Sequence, residues 1–238
     1  MGLKTGAENG TRGEPDGVDW AAHLAREEGR YRDGEARLAS GAAEDDSDPR
    51  QRQLTRLGNA AGGAGLALLM LGDRERAAEW FARAAARYRE SFADAPPGSW
   101  GRPIGAVKAL VLAGDWPGAE EAAAWALETG AAESDSSIGG YAGALALLVL
   151  GRDAEARRHA DEIRIRDDFP ADVGDALAFI AAQDVVGWAV AIESVLDSFE
   201  AREEYLEDLP VADTVLVLQA LAARRGMAAE LSSPLLPR

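Results

Sequence analysis

The chain has 238 residues, and its 41 Asp and Glu against 25 Lys and Arg give a formal net charge of −16. Because it contains no cysteine, disulfides, cysteine-ligated zinc sites and a cysteine nucleophile are excluded. At about 150 residues per domain, this length corresponds to one large domain or two small ones.

Alanine dominates the hydrophobic residues. The sequence holds 50 alanines but only 18 valines and isoleucines together. Alanine has the highest helix propensity, whereas strands favour β-branched and aromatic side chains. The composition therefore predicts a largely helical protein. Its acidic, lysine-poor and alanine-rich character also fits a halophilic or high-GC source.

The N-terminal part predicts a tail followed by two helices. Residues 1–18 are rich in glycine and polar side chains and have no apolar core, so we expect a disordered tail and not a signal peptide. The apolar positions that follow predict a helix over 19–38. The acidic run 45–49 predicts a break before a helix that begins near Arg50.

One sequence pattern then occurs three times: an apolar helix, a glycine, a polar turn and an alanine five residues after the glycine. The copies are spaced by 42 and 37 residues. A left-handed glycine ends a helix, an aspartate caps the next one, and the small alanine lets the two helices pack closely. These residues are Gly72, Asp73 and Ala77, then Gly114, Asp115 and Ala119, and finally Gly151, Asp153 and Ala156.

A degenerate fourth copy follows, with Gln183 and Asp184 at the turn. Its second helix has one apolar face, formed by Trp188, Ala189, Ile192, Val195, Leu196 and Phe199. Pro210 begins a last predicted helix over 211–224, which Gly226 ends. We therefore expect about nine or ten helices and no strand.

The repeats resemble tetratricopeptide-like units over about residues 54–205. This resemblance implies an all-α fold, a right-handed array of antiparallel helical hairpins, that is, a tetratricopeptide-like α-solenoid. We expect residues 19–238 to form a single helical-repeat domain. Such arrays often expose a concave groove that binds a peptide or a protein.

Charge is distributed unevenly along the chain. The stretch 50–108 carries +5, whereas 160–213 carries −12. A net-acidic chain is repelled by phosphate backbones, which argues against a nucleic-acid partner. The longest apolar stretches, 64–71 and 142–150, are shorter than the ~20 residues that a membrane-spanning helix needs. We therefore expect a cytoplasmic protein that contacts no membrane.

No pattern predicts a catalytic, cofactor or metal site. The two histidines, His23 and His159, stand alone among alanines and charged residues. The glycine run 62–65 and the segment 101–108 lack the context of a phosphate loop. We interpret the first as a helix-packing or hinge feature and the second as a loop that leads into a helix.

The segment 95–103 combines prolines and glycines with Ser99, Trp100 and Arg102. Tryptophan and arginine are the residues most enriched at binding hot spots. Two interpretations are open. In the first, Trp100 packs into the junction between hairpins and Arg102 caps a carbonyl. In the second, the three residues contact a partner at the groove.

A dense acidic cluster lies within the −12 region and consists of Glu200, Glu203, Glu204, Glu207 and Asp208. One interpretation is a solvated surface. The other is a docking surface for a basic partner, whose association electrostatic steering would accelerate at low salt.

The C-terminal part has an apolar helix that Gly226 ends and an extended tail that contains Ser233 and Pro234. With the preceding hairpin 175–199 and the acidic segment after it, this order resembles the immunity-protein family 49 of polymorphic toxin systems, over about residues 95–238. The resemblance implies a protein that occludes a toxin and has no catalytic residue. Many toxins that act on nucleic acid are basic, and an acidic helical surface can mimic phosphate in their cleft.

These observations favour a non-enzymatic protein-binding module without a cofactor, an immunity protein that neutralises a basic toxin domain by occlusion. Two alternatives stay open. A carboxylate-dependent hydrolase or metal-dependent enzyme needs three or more acids that converge in a deep pocket. A structural scaffold with a salt-adapted surface needs negative charge that is spread evenly.

Overall fold

The computed structural model describes residues 17–41 and 50–238, apart from the side chain of Leu206. These ranges form ten α-helices, one short 3₁₀-helix at Leu206–Asp208 and no strand, which confirms the all-α prediction. None of these helices is both long enough and apolar enough to cross a membrane. Most of the predicted tail, residues 1–16, and the predicted break at 45–49 lie outside the described residues. The helices are α1 Trp20–Ala39, α2 Arg50–Met70, α3 Arg74–Phe92, α4 Gly101–Ala113, α5 Trp116–Glu128, α6 Ser137–Val149, α7 Asp153–Ile163, α8 Ala171–Ala182, α9 Val185–Glu200 and α10 Asp213–Ala223.

The three repeated glycines end helices in the left-handed conformation, as predicted. Gly72, Gly114 and Gly151 follow α2, α4 and α6 with φ angles of 82°, 72° and 70°. The alanine five residues later is fully buried in each copy. At this position the following helix presents only an alanine methyl group to the core, which permits close packing.

The aspartate of the turn caps the next helix in two of the three copies. The Asp73 carboxylate accepts a hydrogen bond of 3.2 Å from the backbone N–H three residues later, and Asp115 does the same at 3.0 Å. For Asp153 the prediction is wrong, because α7 begins at Asp153 itself with Arg152 at the N-cap position. The Asp153 carboxylate instead pairs with Arg225, beyond the end of α10.

The fourth turn keeps the geometry of the others without a glycine. Gln183 adopts a left-handed φ of 54° after α8. The Asp184 carboxylate then accepts a hydrogen bond of 3.0 Å from the backbone N–H of Gly187 and caps α9. The cap compensates part of the conformational cost of a left-handed non-glycine residue.

Consecutive helices pack against each other from α1 to α9. The even-numbered helices also contact one another, α2 with α4, α4 with α6 and α6 with α8. The last helix, α10, contacts α8 and α9 as the next member of these series would, and it also packs against α4.

The core is built mainly from alanine, leucine and valine, with Trp188 as its largest fully buried side chain. The apolar face predicted for α9 is confirmed, because Ile192 and Val195 are also fully buried and Phe199 nearly so. Among the described residues, the Trp188 Nε1–H has no hydrogen-bond partner. Packing alone therefore stabilises this ring.

The glycine run of α2 serves helix packing, as predicted. A Cβ at Gly63 would lie 2.8 Å from Leu209 Cδ1 and 3.0 Å from Glu27 Cγ. A Cβ at Gly65 would lie 2.7 Å from the ring of Phe81. The segment 101–108, by contrast, is helical throughout, because α4 begins at its first residue, so the prediction of a loop there is wrong.

Residues 201–212, which we call the crossing segment, connect α9 to α10 and reach back to the N-terminal helices. The guanidinium of Arg26 in α1 donates to the Glu207 carbonyl at 2.5 Å. At its other end, the backbone N–H of Ala212 donates to the Leu235 carbonyl at 3.0 Å. The crossing segment therefore joins the two ends of the helix series.

Candidate functional site

Ser99 and Trp100 form part of the junction between hairpins. The Ser99 hydroxyl donates to the Pro96 carbonyl at 2.6 Å. The half-buried Trp100 ring lies 6.4 Å from the ring of Phe92, which packs edge-on against Trp125 at 5.3 Å. These contacts correspond to the first of the two interpretations of Trp100, in which the ring tucks into the junction.

Arg102 lies in the first turn of α4 and reaches side chains of α2 and α3. Its Nε donates to Ser91 Oγ at 2.8 Å, and its Nη2 donates to Gln51 Oε1. Neither partner is charged, and no carboxylate in the described ranges forms an ion pair with Arg102. Burial lowers the pKa of Arg102, because this guanidinium has lost hydration without gaining a counter-charge.

The acidic cluster divides into two parts. Glu207 is half-buried, whereas Asp208 is exposed, with its carboxylate 3.9 Å from the guanidinium of Arg26. The remaining three acids are exposed and form no ion pair within the described part of the chain: Glu200, Glu203 and Glu204.

Glu207 connects the crossing segment to α1 and α2. Its carboxylate accepts a hydrogen bond of 2.8 Å from Asn59 Nδ2 and pairs with Arg30. Arg30 also bonds at 2.8 Å to Glu27, whose side chain is fully buried and receives a second 2.8 Å bond from Arg26. Two buried or half-buried carboxylates thus share the guanidinium of Arg30.

Tyr88 extends this polar network into the interior. Its hydroxyl donates to Asn59 Oδ1 at 2.9 Å. Burial raises the pKa of Tyr88, and the negative charge of Glu207 raises it further. The ring is held between two helices, since a Cβ at either Gly58 or Gly105 would lie 2.7 Å from it.

The outer face of α9 combines apolar and acidic side chains. We define the α9 surface as Val186, Val190, Glu193, Asp197 and Glu200, which recur every three or four residues and therefore share one side of the helix. Val186 is 76% exposed and Val190 is 67% exposed. The three carboxylates are exposed and have no ion-pair partner among the residues that the structure describes.

The sequence contained a signal for these valines. Val186 and Val190 lie outside the apolar face that Trp188 and Ile192 define, so a helical projection separates them from the core. The sequence analysis named only the apolar face that contains Trp188 and Ile192 and assigned no role to the two valines outside it.

A cavity of about 470 Å³ lies between α2, α3, α4 and the segment 199–214. The side chains of Arg102, Lys108 and Arg202 contribute cations to its wall, and Glu207 and Asp213 contribute carboxylates. Arg202 lies over the ring of Phe199 at 3.6 Å from the centroid. Among the predicted site residues, the cavity brings together Arg102 and Glu207 but none of the exposed acids.

Lys108 and Asp213 form an ion pair in the cavity wall. Lys108 Nζ lies 2.5 Å from Asp213 Oδ2 and donates to Thr214 Oγ1 at 3.1 Å. Burial alone would lower the pKa of Lys108, but the charges of Asp213 and Tyr141 and the hydrogen bond to Asp213 together outweigh burial, and the pKa is raised. Lys108 is therefore protonated, and the carboxylate of Asp213 balances its positive charge.

Carboxylates do not converge elsewhere in the described part of the chain. No group of three or more histidine, aspartate or glutamate side chains there could hold a metal ion. Within the cavity, Glu207 and Asp213 are each engaged by a cation, Arg30 and Lys108 respectively.

Comparison of this chain with family models, curated proteins and solved structures returns no match.

Proposed function

We propose that this protein is a non-enzymatic protein-binding module that engages a basic partner protein through the α9 surface. The contacts between successive helices and between the even-numbered helices support a tetratricopeptide-like solenoid as its scaffold.

One observation carries the proposal: the carboxylates of the α9 surface have no cationic partner among the described residues, although arginines pair with acids over much of the remaining surface. Unpaired like charges three or four residues apart on a helix repel each other. A basic partner would relieve this repulsion and would be steered towards the surface at low salt.

The exposed valines provide the apolar part of the interface. Burial of a valine side chain contributes about 1.5–3 kcal/mol when it is complete. Val186 and Val190 lie at one end of the α9 surface and Glu200 lies at the other. A partner that matches this surface carries a small apolar patch beside several arginines or lysines.

The acidic end of the α9 surface continues into Glu203 and Glu204, which are also exposed. A row of carboxylates can take the place of phosphates in a basic cleft. The occlusion of a toxin that acts on nucleic acid, which the C-terminal resemblance implies, is therefore the specific form of binding that we propose.

The uneven distribution of charge favours this proposal over a salt-adapted scaffold. In the described part of α1–α3, carboxylates such as Glu27, Glu28 and Glu35 pair with arginines. On α9 and the start of the crossing segment, successive exposed acids lack an ion-pair partner among the described residues: Glu193, Asp197, Glu200, Glu203 and Glu204. Exposed acids elsewhere, such as Glu128 and Glu133, also lack one, so what distinguishes the α9 surface is the spacing of its carboxylates along one side of a helix.

The test compares two triple variants with equal changes in net charge. E193Q/D197N/E200Q removes three carboxylates from the α9 surface, and E128Q/E133Q/D135N removes three exposed carboxylates elsewhere. Each immobilised protein is exposed to lysate of the source cells, and a captured protein is then purified and titrated calorimetrically at 50 and 300 mM salt.

We expect a basic protein to bind the wild type and the E128Q/E133Q/D135N control equally, and to lose about tenfold or more in affinity for the α9 variant. Binding to the wild type should weaken as salt rises. Equal binding to both triple variants would reject the α9 surface as the docking site.

A further inference from the structure

We propose that the cavity between α2, α3, α4 and the segment 199–214 binds a small organic anion, a carboxylate or phosphate group on an apolar body. This site is separate from the α9 surface, and its ligand belongs to a different class from a protein partner. The proposal rests on the shape of the cavity, on its uncompensated arginines and on the way Arg102 is held.

The cavity has the size and lining of a small-molecule site. Its volume of about 470 Å³ lies within the range of about 300–1,000 Å³ that is typical of ligand pockets. Much of its wall is hydrophobic and would contact the body of a ligand. These hydrophobic side chains are Leu66, Phe81, Ile104, Leu112, Leu209 and Val211.

The charges of the wall leave a positive excess. Glu207 pairs with Arg30, which lies outside the lining, and Asp213 pairs with Lys108. Arg102 and Arg202 also line the cavity, and neither forms an ion pair with a described carboxylate. An anionic ligand supplies the counter-charge that both guanidinium groups lack.

One of the two arginines is held in place before any ligand arrives. Arg102 is fixed by its bonds to Ser91 and Gln51, whereas Arg202 is exposed and its guanidinium lies over the Phe199 ring. Guanidinium groups bind carboxylate and phosphate oxygens through paired N–H donors. Donors that are already oriented lose less entropy when the ligand binds.

The base of the site is rigid. Tyr88 lines the cavity with its ring clamped between two glycine positions, Gly58 and Gly105. Its hydroxyl is already bonded to Asn59 at 2.9 Å. The apolar part of the ligand therefore contacts a fixed wall, and the anionic group determines which ligands bind.

The test uses two fluorescent probes that share one apolar body. 1-Anilinonaphthalene-8-sulfonate carries an anionic group, and N-phenyl-1-naphthylamine is its neutral counterpart. Four variants are compared: R202Q, R102Q, the exposed control R74Q, and G62F, which fills the cavity from a position where a Cβ would lie 4.0 Å from the Tyr88 hydroxyl, an ordinary van der Waals distance.

We expect the anionic probe to bind the folded protein at one saturable site. R202Q should weaken it about tenfold, R102Q at least as much, and R74Q not at all. The neutral probe should be insensitive to R202Q, and G62F should abolish binding of both. If R102Q lowers the unfolding midpoint, R102K, which keeps the charge, replaces it in the comparison.

Competition distinguishes the two possible anionic groups, since octanoate displaces the probe from a carboxylate site and octyl phosphate from a phosphate site. The proposal is overturned if R202Q leaves the anionic probe unaffected, or if G62F leaves both probes bound. It is also overturned if V186S/V190S, and not G62F, removes the probe, because the probe then binds the α9 surface.

Discussion

Helices α1–α3 and helix α9 differ in how their acidic residues are used. In α1–α3, Glu27 is buried between two arginines, and Arg87 pairs with both Glu35 and Glu90 at 2.6 and 2.5 Å. In α8–α10, apolar packing around Trp188 holds the helices together, and the carboxylates of α9 point outward without partners. Carboxylates of α1–α3 thus link helices to one another, whereas those of α9 form no such link in the described part of the chain.

The largest effect should come from the apolar core of the C-terminal half. W188A removes the largest fully buried side chain and should cost about 3–5 kcal/mol of unfolding free energy, measured by urea denaturation. W188F should cost much less, because the ring lacks a hydrogen bond to lose. A loss below about 1 kcal/mol in W188A would mean that this ring does not hold the C-terminal helices.

The buried carboxylate of α1 should come next. E27Q keeps the shape of the side chain but removes its charge between Arg26 and Arg30, and we expect a loss of about 1–3 kcal/mol in the same assay. The neighbouring E28Q affects only a surface pair with Arg76 and should change stability by less than about 1 kcal/mol. Equal effects would contradict a special role for burial.

Tyr88 provides a pH-dependent test of the same network. At pH 7, Y88F should lose about 1 kcal/mol because the bond to Asn59 is absent. The raised pKa of Tyr88 means that, above about pH 10, the unfolded chain ionises while the native phenol stays protonated, so the wild type loses stability. Y88F lacks this loss.

The stability difference between wild type and Y88F should therefore shrink between pH 9 and pH 11, as measured by urea unfolding. The pKa values of Tyr141 and Lys108 are also raised, so a common alkaline loss remains in both proteins and cancels in the comparison. A difference that is constant with pH would show that Tyr88 ionises equally in both states.

The smallest effect on folding should come from the α9 surface. E193Q/D197N/E200Q removes exposed like charges and should change the unfolding free energy by no more than about 0.5 kcal/mol, slightly towards greater stability. The gain should vanish in 1 M salt, where the repulsion is screened. A clear destabilisation would indicate that these acids have structural partners.

Local sequence signals predicted the helices well. The Gly-Asp turns fixed three hairpin boundaries, and the same geometry at Gln183 followed from the periodicity on either side of it. The cap at Asp153 was wrong because this aspartate follows its glycine by two residues, whereas Asp73 and Asp115 follow theirs by one, so Arg152 occupies the N-cap position. The pairing of Asp153 with Arg225, which is distant in sequence, has no local signal.

The candidate sites were predictable only in part. The acidic run 200–208 was visible, but its division into exposed acids and a half-buried Glu207 depends on a left-handed turn with φ of 56° and on Arg30 in α1. The position of Arg102 in a cavity wall depends on helices that approach from both ends of the chain. Contacts over such separations arise from tertiary packing and leave no periodic signal.

The link between Arg26 and Glu207 spans 181 residues, and that between Asn59 and Glu207 spans 148. During synthesis, α1 and α2 therefore leave the ribosome long before their partner does. The neighbouring hairpins can form in the order of translation, but Glu27 must share Arg26 and Arg30 without Glu207 until most of the chain has emerged. The network at Glu207 can therefore form only after both α1 and the crossing segment have been synthesised.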